Sequence, residues 1–165
     1  MVTKAFENVK PQLSYCGIWC GSCVVGNGTL KELTKRYDHI IRSHGVEKWG
    51  AEQQGFNGQE FVKALTLIQR IPLCPGCLKG GGATNCAIKV CASTKNVSDC
   101  TECSEFMTCQ NQQALHNVRT GAQKAGMMVK TEQETADQQQ LLKQWTAELP
   151  KRFPYCFIFS DRCAH

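Results

Sequence analysis

No apolar run in this 165-residue sequence approaches the roughly 20 residues that a membrane-spanning helix requires, so no membrane association is expected. The opening stretch from Met1 to Lys10 lacks the apolar core of a secretory signal, and the expected compartment is the cytoplasm. Charged residues make up only 20% of the chain against 42% hydrophobic, which argues against full disorder. Catalytic signatures are missing as well. There is no GxSxG elbow, no HExxH and no obvious pair of carboxylates, and Lys79 precedes Gly80-Gly81-Gly82 where a phosphate loop needs its lysine to follow. The sequence therefore assigns no reaction. The glycines read instead as a loop that lets the backbone wrap a metal site.

Clustered basic charge is also lacking. Lys+Arg 19 against Asp+Glu 14 gives a formal +5, yet no basic run exceeds a pair such as Lys35-Arg36 or Lys151-Arg152. Four thiolates around one Zn²⁺ change the charge by about −2, so two such sites would bring +5 to about +1 and three to about −1. Nucleic-acid binding needs a concentrated basic face and is not expected; the charges read as solvated helix faces.

Cysteine is abundant, at 12 residues. In a reducing cytosol that usage favours metal or redox chemistry over a disulfide scaffold. Helical patterning frames the cysteines. Thr29 to Glu32 forms a capping box ahead of an apolar face of Leu30, Leu33, Tyr37, Ile40 and Ile41, with Gly45 as a stop. A second helix is expected from about Asn57 to Arg70, carrying Phe61, Leu65 and Ile68 and closing before Pro72. Leu115, Val118 and Ala122 line a third, up to Gly126. A second capping box, Thr131 to Glu134, opens a fourth with Leu141, Leu142, Trp145 and Leu149, ending at Pro150. Tyr155 to Phe159 is strand-like. The expected fold is mostly α, with helices packed around an irregular cysteine-rich metal-binding region. Residues 1–126 form the cysteine-rich part, and residues 127–165 a C-terminal helix and short extended tail packing on it.

Cys20-Gly-Ser-Cys23, Cys74-Pro-Gly-Cys77 and Cys100-Thr-Glu-Cys103 are CxxC pairs, whose turn lets both sulfurs reach one ion at about 2.3 Å. Pairing the last two gives a spacer of 22 residues, slightly beyond the usual roughly 15–20 of a zinc site. Cys16 extends the first pair to CxxxCxxC, a spacing that can hold three corners of a [4Fe–4S] cluster as in radical enzymes. The large barrel such enzymes need does not fit in 165 residues of mostly helical pattern, so a fourth ligand from elsewhere is the better completion. Thiol–disulfide catalysis at Cys74-Pro-Gly-Cys77 would want a βαβ unit, and a helix precedes that pair instead. His39 and His44 are five apart, off one helical face, and with His116 read as surface residues.

Tyr15-Cys-Gly-Ile-Trp-Cys-Gly-Ser-Cys23, Cys74-Pro-Gly-Cys77, Cys86-Ala-Ile-Lys-Val-Cys91-Ala and Asn96-Val-Ser-Asp-Cys100-Thr-Glu-Cys103-Ser-Glu-Phe106 to Cys109 together resemble domain of unknown function 3795. That family comprises small cysteine-rich proteins common in anaerobic bacteria and archaea. The resemblance spans about residues 14 to 126 and implies a metal-binding protein, zinc being the usual assignment, with no established reaction. This chain departs from the family in having Met107-Thr108 where proline commonly precedes the final cysteine. The tail with Cys156, Cys163 and His165 lies outside the shared pattern.

Cys16, Cys20, Cys23, Cys74, Cys77, Cys86, Cys91, Cys100, Cys103 and Cys109 are thus the candidate metal ligands. The expected cofactor is zinc, two or more ions, organising a small binding module that meets a protein or small-molecule partner through Trp19 and Phe106 beside the sites. The alternative is a [4Fe–4S] cluster serving electron transfer or redox sensing, since thiolates suit both metals.

Overall fold

Trp19 decides where the first cysteine turn sits. The computed structural model describes residues 12–49, 55–131 and 137–152, and within it Trp19 is fully buried. Its amide donates to the Met128 carbonyl at 2.9 Å, and the Lys130 amide donates to the Gly17 carbonyl at 2.8 Å. Residues 17–19 and 128–130 therefore run antiparallel, with isolated bridges Ile18 to Val129 and Leu13 to Trp19. The Trp19 ring lies against Trp145 at 5.9 Å between centroids, tilted by 40°. Leu13, Met128, Leu141, Leu142 and Leu149 complete this core, with Val24 at its margin. The binding role expected for Trp19 is thereby corrected: a fully buried indole holds the fold and presents nothing to a partner.

Six α-helices and four 3₁₀ turns make up the regular structure of the described residues, which contain no strand. The helices are α1 (Thr29–Ser43), α2 (Val46–Trp49), α3 (Gly58–Arg70), α4 (Ala87–Thr94), α5 (Gln112–Lys124) and α6 (Gln138–Arg152). The mostly α expectation holds. None of these helices is long and apolar enough to cross a membrane.

Helix α3 follows its sequence signals closely, because Asn57 caps it by accepting from the Glu60 amide at 3.1 Å. At α1 the expected cap differs. Thr29 is the first helical residue, and its hydroxyl is buried without a hydrogen bond. The cap comes from Asn27, whose Oδ1 accepts from the Thr29 amide at 2.9 Å while its Nδ2 donates to the Gly21 carbonyl at 2.9 Å. One buried amide thus ties the cysteine turn to the helix that follows. On the expected apolar face, Ile41 is buried but Tyr37 and Ile40 remain about half exposed. Tyr37 meets Phe61 of α3 edge-on at 6.2 Å.

Helix α6 starts later than its sequence signal. Asp137 Oδ1 accepts from the Gln139 amide at 3.1 Å and its carbonyl accepts from Leu141, so Asp137, not Thr131, opens the helix. The helix also continues past Pro150 to Arg152. A proline in the last turn removes one backbone bond, not the series a mid-helix proline would break. Residues 132–136 and the tail with Tyr155 to Phe159, Cys156, Cys163 and His165 lie outside the described residues.

Candidate metal centre

The segment from Cys74 to Cys109 is less irregular than its composition suggests. It holds α4 and three 3₁₀ turns, Cys77–Lys79, Cys100–Glu102 and Phe106–Thr108. Ile88 and Ala92 bury one face of α4, which two turns of helix with only alternate small and apolar residues hardly announce in sequence. Two of the CxxC pairs close alike: Cys23 and Cys103 each donate their amide to the carbonyl of the first cysteine of the pair, at 3.2 Å.

The ten described cysteines are free thiols and all half-buried. Nine of them fall into two groups, and Cys86 stands apart. Cys20 is pushed up to about 11, by burial first and then by the nearby thiols of Cys77, Cys74, Cys23 and Cys16. A hydrogen bond from the Cys74 amide to the Val25 carbonyl, 3.4 Å, brings the second turn to the first. Cys77 is raised by burial, opposed by the Tyr15 amide, which donates to its sulfur at 3.4 Å, and by the positive charge of Lys89. The first group is therefore Cys16, Cys20, Cys23, Cys74 and Cys77. Sequence spacing pairs Cys74/Cys77 with Cys100/Cys103; the structure sets them beside Cys20/Cys23 instead, because α1 and α3 form an antiparallel excursion that returns the chain to its start.

Cys100 is pushed up to about 12 by burial, then by Cys16, Asp99, Cys109 and Cys103. Cys91, Cys100, Cys103 and Cys109 line one mostly apolar cavity together with Phe106 and Leu115. Cys16 stands between the groups. So does Tyr15: its carbonyl accepts from the Cys100 amide at 2.8 Å, while its own amide reaches Cys77. Cys86 occupies the N-cap position of α4 without a side-chain capping bond and does not line this cavity.

A buried ion pair holds the second group in place. Lys130 Nζ reaches Asp99 Oδ2 at 2.7 Å and Glu102 Oε1 at 3.0 Å, and both Lys130 and Asp99 are nearly inaccessible. Asp99 also accepts from the amide and hydroxyl of Thr101, at 2.9 and 2.8 Å, which shapes the Cys100–Cys103 turn. The Arg119 guanidinium donates to the Lys130 carbonyl. Lys130, Asp99, Asn27 and Tyr15 escape sequence reasoning. Their partners lie far along the chain or in backbone atoms, and all charges read there as solvated.

Soft thiolates fit zinc or iron. Three sulfurs already have hydrogen-bond partners of the kind that support a metal thiolate: Cys77 and Cys109 accept from the Tyr15 and Asn111 amides, both at 3.4 Å, and Cys16 sits 3.1 Å from the Ser14 hydroxyl. The glycine loop packs on the first group. A Cβ at Gly81 would come within 2.9 Å of both Cys74 Sγ and the Gly76 amide nitrogen. Among the described residues, however, no three His, Cys, Asp or Glu side chains stand in a geometry that could hold a metal ion. Ion binding would therefore require the sulfurs to move from these positions. His39, His44 and His116 are exposed, as expected.

Gly81→Ala should lower thermal stability by about 1–3 kcal/mol, since the added methyl must displace backbone or a sulfur. An unchanged melting temperature would mean that the loop does not pack on Cys74 in solution.

No curated protein and no solved structure matches the chain. Residues 12–114 match the family described as protein of unknown function (DUF3795). The match stops inside α5, short of the Gly126 boundary that the sequence pattern suggests. Since it covers more than half of the 165 residues and contains every cysteine of both groups, the chain belongs to this cysteine-rich family.

Proposed function

We propose that this protein binds zinc through the thiolates of Cys20, Cys23, Cys74 and Cys77, the ion stiffening a small binding module. The observation that carries this reading is the convergence of two CxxC turns, so that Cys20 feels the charge of Cys77, Cys74 and Cys23 together. Four thiolates brought together repel one another, and a bound cation removes that repulsion while supplying folding free energy. A fixed tetrahedral zinc–thiolate centre would clamp the end of α3 to the start of α1. The chain's activity would then be recognition by the surface so stiffened, with a protein or small molecule as partner.

The test is metal analysis of protein purified without oxygen, wild type beside Cys20→Ser/Cys77→Ser. A colourless protein containing zinc, with about one equivalent lost in the double variant, is the expected result. Iron with matching sulfide and a brown colour would replace this reading with the iron–sulfur one. Zinc content equal in both proteins would remove these four residues as the site.

A further inference from the structure

The second group of thiols makes a separate case. Cys91 on α4, Cys100 and Cys103 in their turn, and Cys109 ahead of α5 arrive from three different pieces of chain at one cavity. Four sulfurs are a full tetrahedral complement. The rest of the wall is largely apolar, Ile88, Ala92, Val97, Phe106 and Leu115 included, with Lys95 and Asn111 as its polar members. The interior admits about one water-sized body.

The surroundings suit a centre of net negative charge. Lys95 lines the same cavity, its ammonium ion-paired to Glu105 Oε2 at 2.5 Å. The Asn111 amide donates to Cys109 Sγ at 3.4 Å. Behind the Cys100–Cys103 turn, Asp99 and Lys130 hold the backbone through bonds that do not need the metal. We propose that Cys91, Cys100, Cys103 and Cys109 form a second, mononuclear site for a soft divalent cation of the zinc class, distinct from the one at Cys20, Cys23, Cys74 and Cys77. Cys16, whose charge acts on both Cys20 and Cys100, stands between the two sets, and Cys86 lies outside the cavity. The proposal rests on the reading of the chain as a zinc–thiolate protein, and the experiment separates the two.

Full-length protein, reduced and stripped of metal, is titrated with Zn²⁺ and in parallel with Co²⁺, whose tetrahedral thiolate complexes absorb in the near-ultraviolet and visible. Wild type should take two equivalents. Cys103→Ser/Cys109→Ser and Cys20→Ser/Cys77→Ser should each take one. Cys91→His should keep two equivalents while its cobalt bands move to shorter wavelength, as one nitrogen replaces one sulfur. That variant guards against a serine pair that simply fails to fold. Two equivalents retained in Cys103→Ser/Cys109→Ser, or cobalt bands of Cys91→His identical to wild type, would overturn the second site. One equivalent in wild type, lost in Cys20→Ser/Cys77→Ser, would overturn it and leave the first site standing. No zinc or cobalt bound at all would overturn both.

Discussion

Lys130→Met is expected to lower the unfolding free energy by about 3–5 kcal/mol, the usual cost of removing one partner from a buried ion pair. The methionine fills a similar volume, but it leaves the nearly inaccessible Asp99 carboxylate without its cation. Asp99 cannot easily turn away, since its other oxygen holds the Thr101 amide and hydroxyl. Glu102 is largely exposed and will find water, so its share of the loss is small. Burial pulls the Lys130 pKa downward, yet the hydrogen bonds its ammonium donates to Asp99 and Glu102 outweigh that and leave it above the ordinary 10.5. A cation with a raised folded-state pKa contributes fully below its unfolded value and loses that contribution as pH climbs through the folded one. The gap between wild type and Lys130→Met should therefore stay constant from about pH 7 to about pH 9 and narrow only above the ordinary lysine range. Urea unfolding across that range checks both statements. A loss below about 1 kcal/mol near neutrality would mean that water reaches Asp99.

That pair also marks the limit of what the linear sequence discloses. Helix α3 was legible because its cap, its apolar spacing and its closing proline lie within one short window, and all three point to the same element. Helix α5 was legible from its apolar spacing and the glycine beyond its end, with Leu115 and Ala122 buried as that spacing requires and Val118, on the same expected face, left exposed. Which cysteines meet is another kind of fact. Cys20 and Cys77 stand far apart in the chain, and their approach depends on α1 and α3 packing as a hairpin. A rule built on spacer length prefers the nearer CxxC pair and so joins Cys77 to Cys100. Lys130 and Asp99 fail to stand out in sequence because each is an ordinary charged residue until the fold removes its water. Asn27 is similar: an asparagine near a helix start is expected to cap, but Thr29 two residues later offers the more familiar signal.

Removing metal should have the second large effect, and an uneven one. With free zinc about 1,000-fold above the dissociation constant, one site adds about 4.1 kcal/mol to folding. For a chain of this size that corresponds to a fall of about 8–16 °C in melting temperature when a chelator strips the site in reducing buffer. The loss should concentrate in residues 74–109, where the turns carry few buried apolar side chains: Ile88 and Ala92 of α4 are the buried hydrophobic ones. By contrast Trp19, Trp145, Leu141, Leu142 and Leu149 bury one another directly and need no ion to do so. Amide exchange on the stripped protein should therefore accelerate strongly in the Cys74–Cys109 segment while the amides of α6 stay protected. The same experiment separates two views of the cysteines. If α6 and the segment lose protection together, the metal would hold the whole fold as one unit, and the Trp19–Trp145 core would be a consequence of ion binding. If neither changes, the thiols would be reduced surface chemistry on a fold that stands by itself, and zinc would have no structural part in it. The expected middle outcome follows from burial: apolar packing is concentrated around Trp19, and thiols are concentrated where apolar packing is thin.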